Sequence, residues 1–218
     1  MNRRPTLIAA LTLTAAAALT LSACGSDDSS KDDNDKIAGA DTGGGVSASP
    51  TASASTAANR PKIELPSDLS YAFDWPKTGN QDKDAVLADG EQSIKAVDLA
   101  IVNQDALDKA YPYYYEGEAA VGVQKFVQEY VDAKASITGA YRFYNPEVAV
   151  DKDGTASLSY CEDQGKAYVK DLKTNKVKKT KVTADSYVIY HTSLKKNDKG
   201  VWAIQKIVSQ RGSAKCQP

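Results

Sequence analysis

The chain of 218 residues has a single histidine, and none of its three cysteines stands close to another cysteine or to that histidine. The Cys/His spacings that build zinc sites are therefore missing, and no group of residues converges on a known catalytic motif. No internal repeat is visible. The longest apolar run, residues 7–21, is shorter than the roughly 20 residues that a helix needs to cross the hydrocarbon core. A dominant charge is lacking too, since residues 61–218 carry 22 basic and 22 acidic side chains. A nucleic-acid binder of this size would show an excess of positive charge, because counterion release from phosphates drives its affinity. Nucleic acid is thus excluded as a partner, and no cofactor is expected.

Residues 25–60 contain no aromatic side chain, and only Ile37 and Val46 are larger apolar groups among Ser, Ala, Thr, Gly and Asp. Such a segment buries too little area to offset its chain entropy and reads as a disordered tether, with a mean reach of about 33 Å. Ahead of it, Arg3 and Arg4 precede the apolar run, and Leu21-Ser22-Ala23 leads into Cys24. That is a secretory signal peptide, and its end resembles the lipobox of bacterial lipoprotein signal sequences. The resemblance implies cleavage after Ala23 and acylation of the Cys24 thiol, with palmitate-type chains, so that the membrane is held through lipid on Cys24. One acyl chain binds a bilayer only marginally, so stable anchoring needs two or more. The expected location is the extracytoplasmic face of the bacterial cell membrane, and the expected layout is signal peptide 1–23, lipidated tether 24–60 and one domain at 61–218.

Outside the membrane, redox conditions favour disulfides. With Cys24 lipidated, Cys161 and Cys216 form the only intrachain pair. Closing a loop of that length removes on the order of 4 kcal/mol of unfolded-chain entropy.

In the domain, an extended lead with Tyr71, Phe73 and Trp75-Pro76 comes first. Over residues 82–102, Val86, Gly90, Ile94, Val97 and Ile101 recur three or four apart and predict a helix. A short turn near residues 107–111 is broken by Pro112. Ala119, Val123, Phe126, Val127, Tyr130 and Val131 predict a second long helix, with Gly139 as its stop. From there the period changes to two, giving strands at 140–150, 155–162, 166–172, 182–195 and 201–210, separated by turn residues such as Asp153-Gly154 and Asp163-Gln164-Gly165. Short breaks make these neighbours antiparallel. The fold class is α+β, helices packed on a curved antiparallel sheet. Trp75 and Trp202 are read as core residues. Asp151 to Glu162 begins like a calcium loop, but Ala156 stands where that loop needs glycine, so it is a turn.

The order of long helix, short helix, third helix and antiparallel sheet resembles the nuclear transport factor 2-like cone. The stretch FVQEYVDAKASITGAYRFYNPEVAV, with DGTASLSYCEDQGKAYVKDLKTNKV after it, is similar to small secreted lipoproteins of streptomycetes. Cone members usually place a strand hairpin between the second and third helices, for which Tyr113-Tyr114-Tyr115 is too short. Sheet concavity, the absence of a convergent catalytic motif and the long tether point to a non-enzymatic surface protein that binds a small apolar ligand or an envelope partner. Enzymes of this superfold place an Asp base and Tyr or Asp donors in an apolar cavity, so an isomerase or dehydratase using His191 with a cavity Tyr or Asp is the alternative. Alternation puts His191 with Tyr187 and Ile189 on one sheet face, and Val188, Tyr190 and Leu194 on the other. Tyr113, Tyr114 and Tyr115 are candidates to stack on a ligand or to cover a pocket mouth. Lys170, Lys173, Lys176, Lys178, Lys179 and Lys181, all on one expected hairpin, are candidates to meet a polyanion, which makes a cell-wall interaction or spacer domain a further alternative, or simply guard a strand edge.

Overall fold

The computed structural model describes residues 59–218. The expectations for the signal peptide, for lipid on Cys24 and for nearly all of the tether fall outside the described residues. Helix α1, Gln81–Asn103, starts where the Asn80 side chain accepts hydrogen bonds from the Asp82 and Lys83 N–H groups, satisfying donors that a helix start leaves open. It stops at Gln104, whose left-handed φ of 54° turns its N–H back onto the Ala100 and Ile101 carbonyls. A 3₁₀ turn at Tyr111–Tyr113 contains Pro112. Helix α2, Gly117–Ala133, ends at Lys134 with φ 50°. Gly139 is therefore not its stop. It lies inside the next strand at φ 104°, where an added Cβ would collide with the Lys166 carbonyl oxygen.

The strands are β1 Leu69–Phe73, β2 Ala135–Val150, β3 Thr155–Asp171, β4 Val177–Lys178, β5 Tyr187–Lys196 and β6 Trp202–Arg211. Their order is β1-β2-β3-β5-β6, with the short β4 also on β3. All pairings are antiparallel except β1 with β2, which runs parallel from Leu69 opposite Gly139 to Phe73 opposite Phe143. The α+β class and the order of helices before an antiparallel sheet are as the sequence implied. Two details differ. The extended lead supplies a sheet strand, β1, and the strands expected at 155–162 and 166–172 are one strand. Asp163-Gln164-Gly165 is not a turn but a bulge: Ala140 pairs with Lys166 and Arg142 with Asp163, which leaves two β3 residues opposite Tyr141 alone. A second bulge places Asn145, at φ 50°, and Pro146 opposite Tyr160. Proline costs no ladder bond there, and bulges of both kinds bend a sheet.

Both helices lie against one sheet face. Across that layer, Asp89 of α1, 1% exposed, accepts from Arg60 Nη1 at 2.5 Å and from the Trp202 N–H at 2.8 Å. Trp202 is buried, and Trp75 packs against Phe73, Phe143 and Tyr160, so both tryptophans serve the core. On the opposite face Cys161 and Cys216 form a disulfide, packed with Ile189, Tyr144 and Tyr187. The Tyr144 hydroxyl donates to the Cys216 carbonyl. Among the described residues no helix is long and apolar enough to cross a membrane.

Candidate functional site

Helical spacing brings Ile94, Val97, Asp98 and Ile101 of α1 to one side, toward the sheet. Alternation on the strands turns Tyr141, Tyr160, Glu162 and Tyr190 toward them, and α2 adds Val123, Phe126 and Tyr130. These side chains do not fill the space between them. They enclose a cavity of about 820 Å³, within the range of about 300–1,000 Å³ usual for small-molecule sites. Exposed Lys178, Thr180, Lys181, Asp185 and Arg211 stand at its rim.

Two carboxyl groups reach this apolar space. Asp98 Oδ2 accepts the Tyr71 hydroxyl at 2.7 Å. Asp98 is half-buried, and the surface it keeps lines the cavity. Burial pushes its carboxyl up to about 7, against the Tyr71 hydrogen bond and with the help of the Glu162 charge. Glu162 is 5% exposed and accepts from Gln164 Nε2 at 2.8 Å and from the Tyr190 hydroxyl. Burial raises its carboxyl above the ordinary range, and those two bonds oppose the rise. Gln164 Oε1 in turn accepts from Arg211 at 2.9 Å, so the rim cation reaches Glu162 through a neutral amide. Burial also raises the phenols of Tyr71, Tyr115, Tyr141, Tyr160 and Tyr190, so these rings stay neutral donors. Tyr160 and Tyr190 stack at 5.1 Å, and Phe126 meets Tyr130 edge-on at 5.3 Å. Such a site can take up an apolar body, accept from a donor on it, and, when a carboxyl is protonated, donate to it.

Of the residues singled out in the sequence, Tyr115 lines the cavity, fixed there by a bridge to Ile204 of β6 and a hydrogen bond with Ser93. Tyr114 does not stack on a ligand; it is 1% exposed in the core, with the Arg60 guanidinium 6.0 Å from its ring centre. Tyr113 packs edge-on against Tyr114, with Lys199 Nζ over its ring, also away from the cavity. His191 does not line the cavity either. Strand alternation sends it to the outer face, exposed between Ser159 and Val208, so catalysis through His191 and a cavity partner is corrected. Lys170 pairs with Asp68 at 3.3 Å. Lys173, Lys176, Lys178, Lys179 and Lys181 are exposed along the hairpin, and Lys178 and Lys181 reach the rim. No group of three or more His, Cys, Asp or Glu among the described residues could hold a metal. Asp98 escaped the sequence reading. Its signal was an acid four residues after Ile94 and next to Val97, inside the apolar stripe.

Compared with known proteins, the chain matches no family model and no curated sequence. Among solved structures it is similar to a ketosteroid isomerase-like protein from Erwinia carotovora atroseptica, with 14% identity, a TM-score of 0.42, and coverage of 62% of this chain and 98% of that one. A proposed aromatic ring hydroxylase from Novosphingobium aromaticivorans gives 13%, 0.43, 60% and 89% in the same order. The intermembrane space region of the chloroplast protein ARC6 gives 13%, 0.37, 62% and 99%. At these scores no residue role passes from those proteins to this chain.

Proposed function

We propose that the domain binds a small, mainly apolar ligand in the cavity between α1, α2 and the sheet. The observation that carries this reading is a cavity of about 820 Å³ left open beneath two helices, with apolar and tyrosine walls and two carboxyls reaching it. A neutral apolar dye such as Nile red tests it. Gly122 stands at the mouth on α2, and an added Cβ there meets nothing within 4 Å, so Gly122→Trp sets an indole over the opening without displacing the core. Nile red fluorescence rises with the unaltered chain and not with the variant. Equal binding by both, or by neither, refutes the reading.

A second reading, acid–base chemistry, is favoured by Asp98, whose carboxyl is held at about 7 within reach of the cavity. There the ionised Asp98 would take a proton from the carbon next to a carbonyl, and protonated Glu162 would donate to the oxygen. Faster exchange of the cyclohexanone α-protons into D₂O, lost in Asp98→Asn, would support it; no acceleration would leave binding alone.

We further propose that the domain is held outside the cell membrane by lipid on Cys24, and that the exposed lysine hairpin meets an anionic envelope surface. The Leu21-Ser22-Ala23-Cys24 segment and a disulfide, a bond that persists in oxidising compartments, support this. Mass spectrometry of the mature amino end decides it: a diacylglyceryl cysteine supports the anchor, and an unmodified thiol at residue 24 contradicts it.

A further inference from the structure

Helix α1 carries two inward-facing carboxylates that are treated differently. Asp89 has a cation, Arg60, and a backbone N–H of Trp202. Asp98, farther along the same helix, has only the neutral Tyr71 phenol, and Glu162 across the cavity has only a tyrosine hydroxyl and an amide. Neither belongs to any ion pair among the described residues. The positive side chains that line the cavity, Lys178, Lys181 and Arg211, are all exposed at its rim. The walls between rim and carboxyls are aromatic: Tyr115, Tyr130, Tyr141, Tyr160 and Tyr190. Ring faces carry negative quadrupole potential and attract cations, most strongly where water is excluded.

We propose that the ligand is an organic ammonium ion, its positive head between the Asp98 and Glu162 carboxyls and the tyrosine rings, its apolar substituents along Ile94, Val97 and Ile101. This rests on the binding reading above. The head supplies the missing cation, and the rings accept its methyl groups without needing hydrogen bonds. The rim lysines do not forbid entry, because at physiological salt exposed charges are screened beyond about 8 Å. A ligand with a carbonyl head would need a protonated carboxyl to donate to it, whereas an ammonium needs the carboxyls ionised, so the two respond to pH in opposite directions. The groups facing Asp98 are Tyr71 of β1, Tyr141 of β2, Tyr160 and Glu162 of β3, Tyr115 before α2 and Tyr130 of α2, with Tyr190 of β5 and Arg211 of β6 beside Glu162. Among them burial pushes the Asp98 carboxyl up to about 7 and raises the Glu162 carboxyl in the same direction.

The test is displacement of Nile red from the purified chain by benzyltrimethylammonium and by neopentylbenzene, its uncharged carbon isostere. At about pH 8.5 the cation is expected to displace the dye at concentrations about tenfold lower than the isostere. The advantage shrinks toward about pH 5.5, as the Asp98 carboxyl takes up its proton. Asp98→Asn and Glu162→Gln each reduce it at high pH. Should either variant fail to fold, the pH series on the unaltered chain still decides. Equal displacement by the two compounds at high pH, or a cation advantage indifferent to pH, overturns the inference while the cavity remains a binding site. If Nile red itself fails to bind, the binding reading falls and this inference with it.

Discussion

Replacing Asp98 by Asn removes a charge that burial penalises and keeps an oxygen for the Tyr71 hydroxyl, 2.7 Å away. The carboxyl titrates at about 7 in the fold against an ordinary 3.8. That gap corresponds to on the order of 4 kcal/mol between its protonated and ionised forms. A carboxyl whose pKa is raised by folding holds its proton more tightly in the folded state. Its contribution is fully present below the ordinary value and is lost as pH rises through about 7. Asn escapes this loss and still accepts from Tyr71, and the weaker bond to a neutral acceptor is already contained in that gap. Asp98→Asn should therefore be more stable than the unaltered chain by about 4 kcal/mol at pH 8.5, and within about 1 kcal/mol of it at pH 4.5. Glu162 shifts in the same direction but is present in both chains, so it largely cancels from the difference. Urea unfolding at the two pH values, disulfide intact and followed by Trp75 and Trp202 fluorescence, measures this. A difference that does not grow with pH, or a variant less stable at pH 8.5, would refute the placement of Asp98 in a poorly solvated cavity.

Gly139→Ala should cost more than about 3 kcal/mol or prevent folding, because φ 104° and the Lys166 carbonyl leave no room for a Cβ. Gly122→Ala, on an open helix face, should instead gain up to about 1 kcal/mol, and thermal melts compare the two. Asp89→Ala strands Arg60 and the buried Trp202 N–H, and denaturant unfolding should show a loss of about 3–5 kcal/mol. Replacing Lys173, Lys176, Lys178, Lys179 and Lys181 by Gln should weaken sedimentation with anionic vesicles or wall polymer by about 1 kcal/mol per lysine near the surface. Stability should stay nearly unchanged, since none of the five forms an ion pair among the described residues.

Helix α1 was legible because its apolar residues repeat over many turns, and a long periodic signal survives local exceptions. The faces of β5 were legible for the same reason: Val188, Tyr190 and Leu194 turn inward and Ile189 and His191 outward, as alternation requires. Which of those faces the helices cover is a tertiary fact, and so His191 as a cavity residue was a reading that alternation alone could not decide. β1 was missed as a strand because its pairing is parallel and joins residues about seventy positions apart, so no local turn announces it. Gln164-Gly165 looked like a turn because bulges and turns favour the same residues. Tyr113 to Tyr115 looked like one platform, yet only Tyr115 reaches the cavity, because the bridge to Ile204 sets that residue alone on the inner side. Asp98 was hidden by its helix, since an acid on a stripe otherwise apolar reads as the edge of a solvated face until a second carboxyl, Glu162, is found opposite.

The most direct test of the account is where a bound ligand sits. Intermolecular nuclear Overhauser effects between neopentylbenzene and the purified chain should connect its methyl protons to Val97, Ile101 and the rings of Tyr115 and Tyr160, which line the cavity. Effects confined to Ile189 and Val208 on the outer face, or none at saturating ligand, would contradict it.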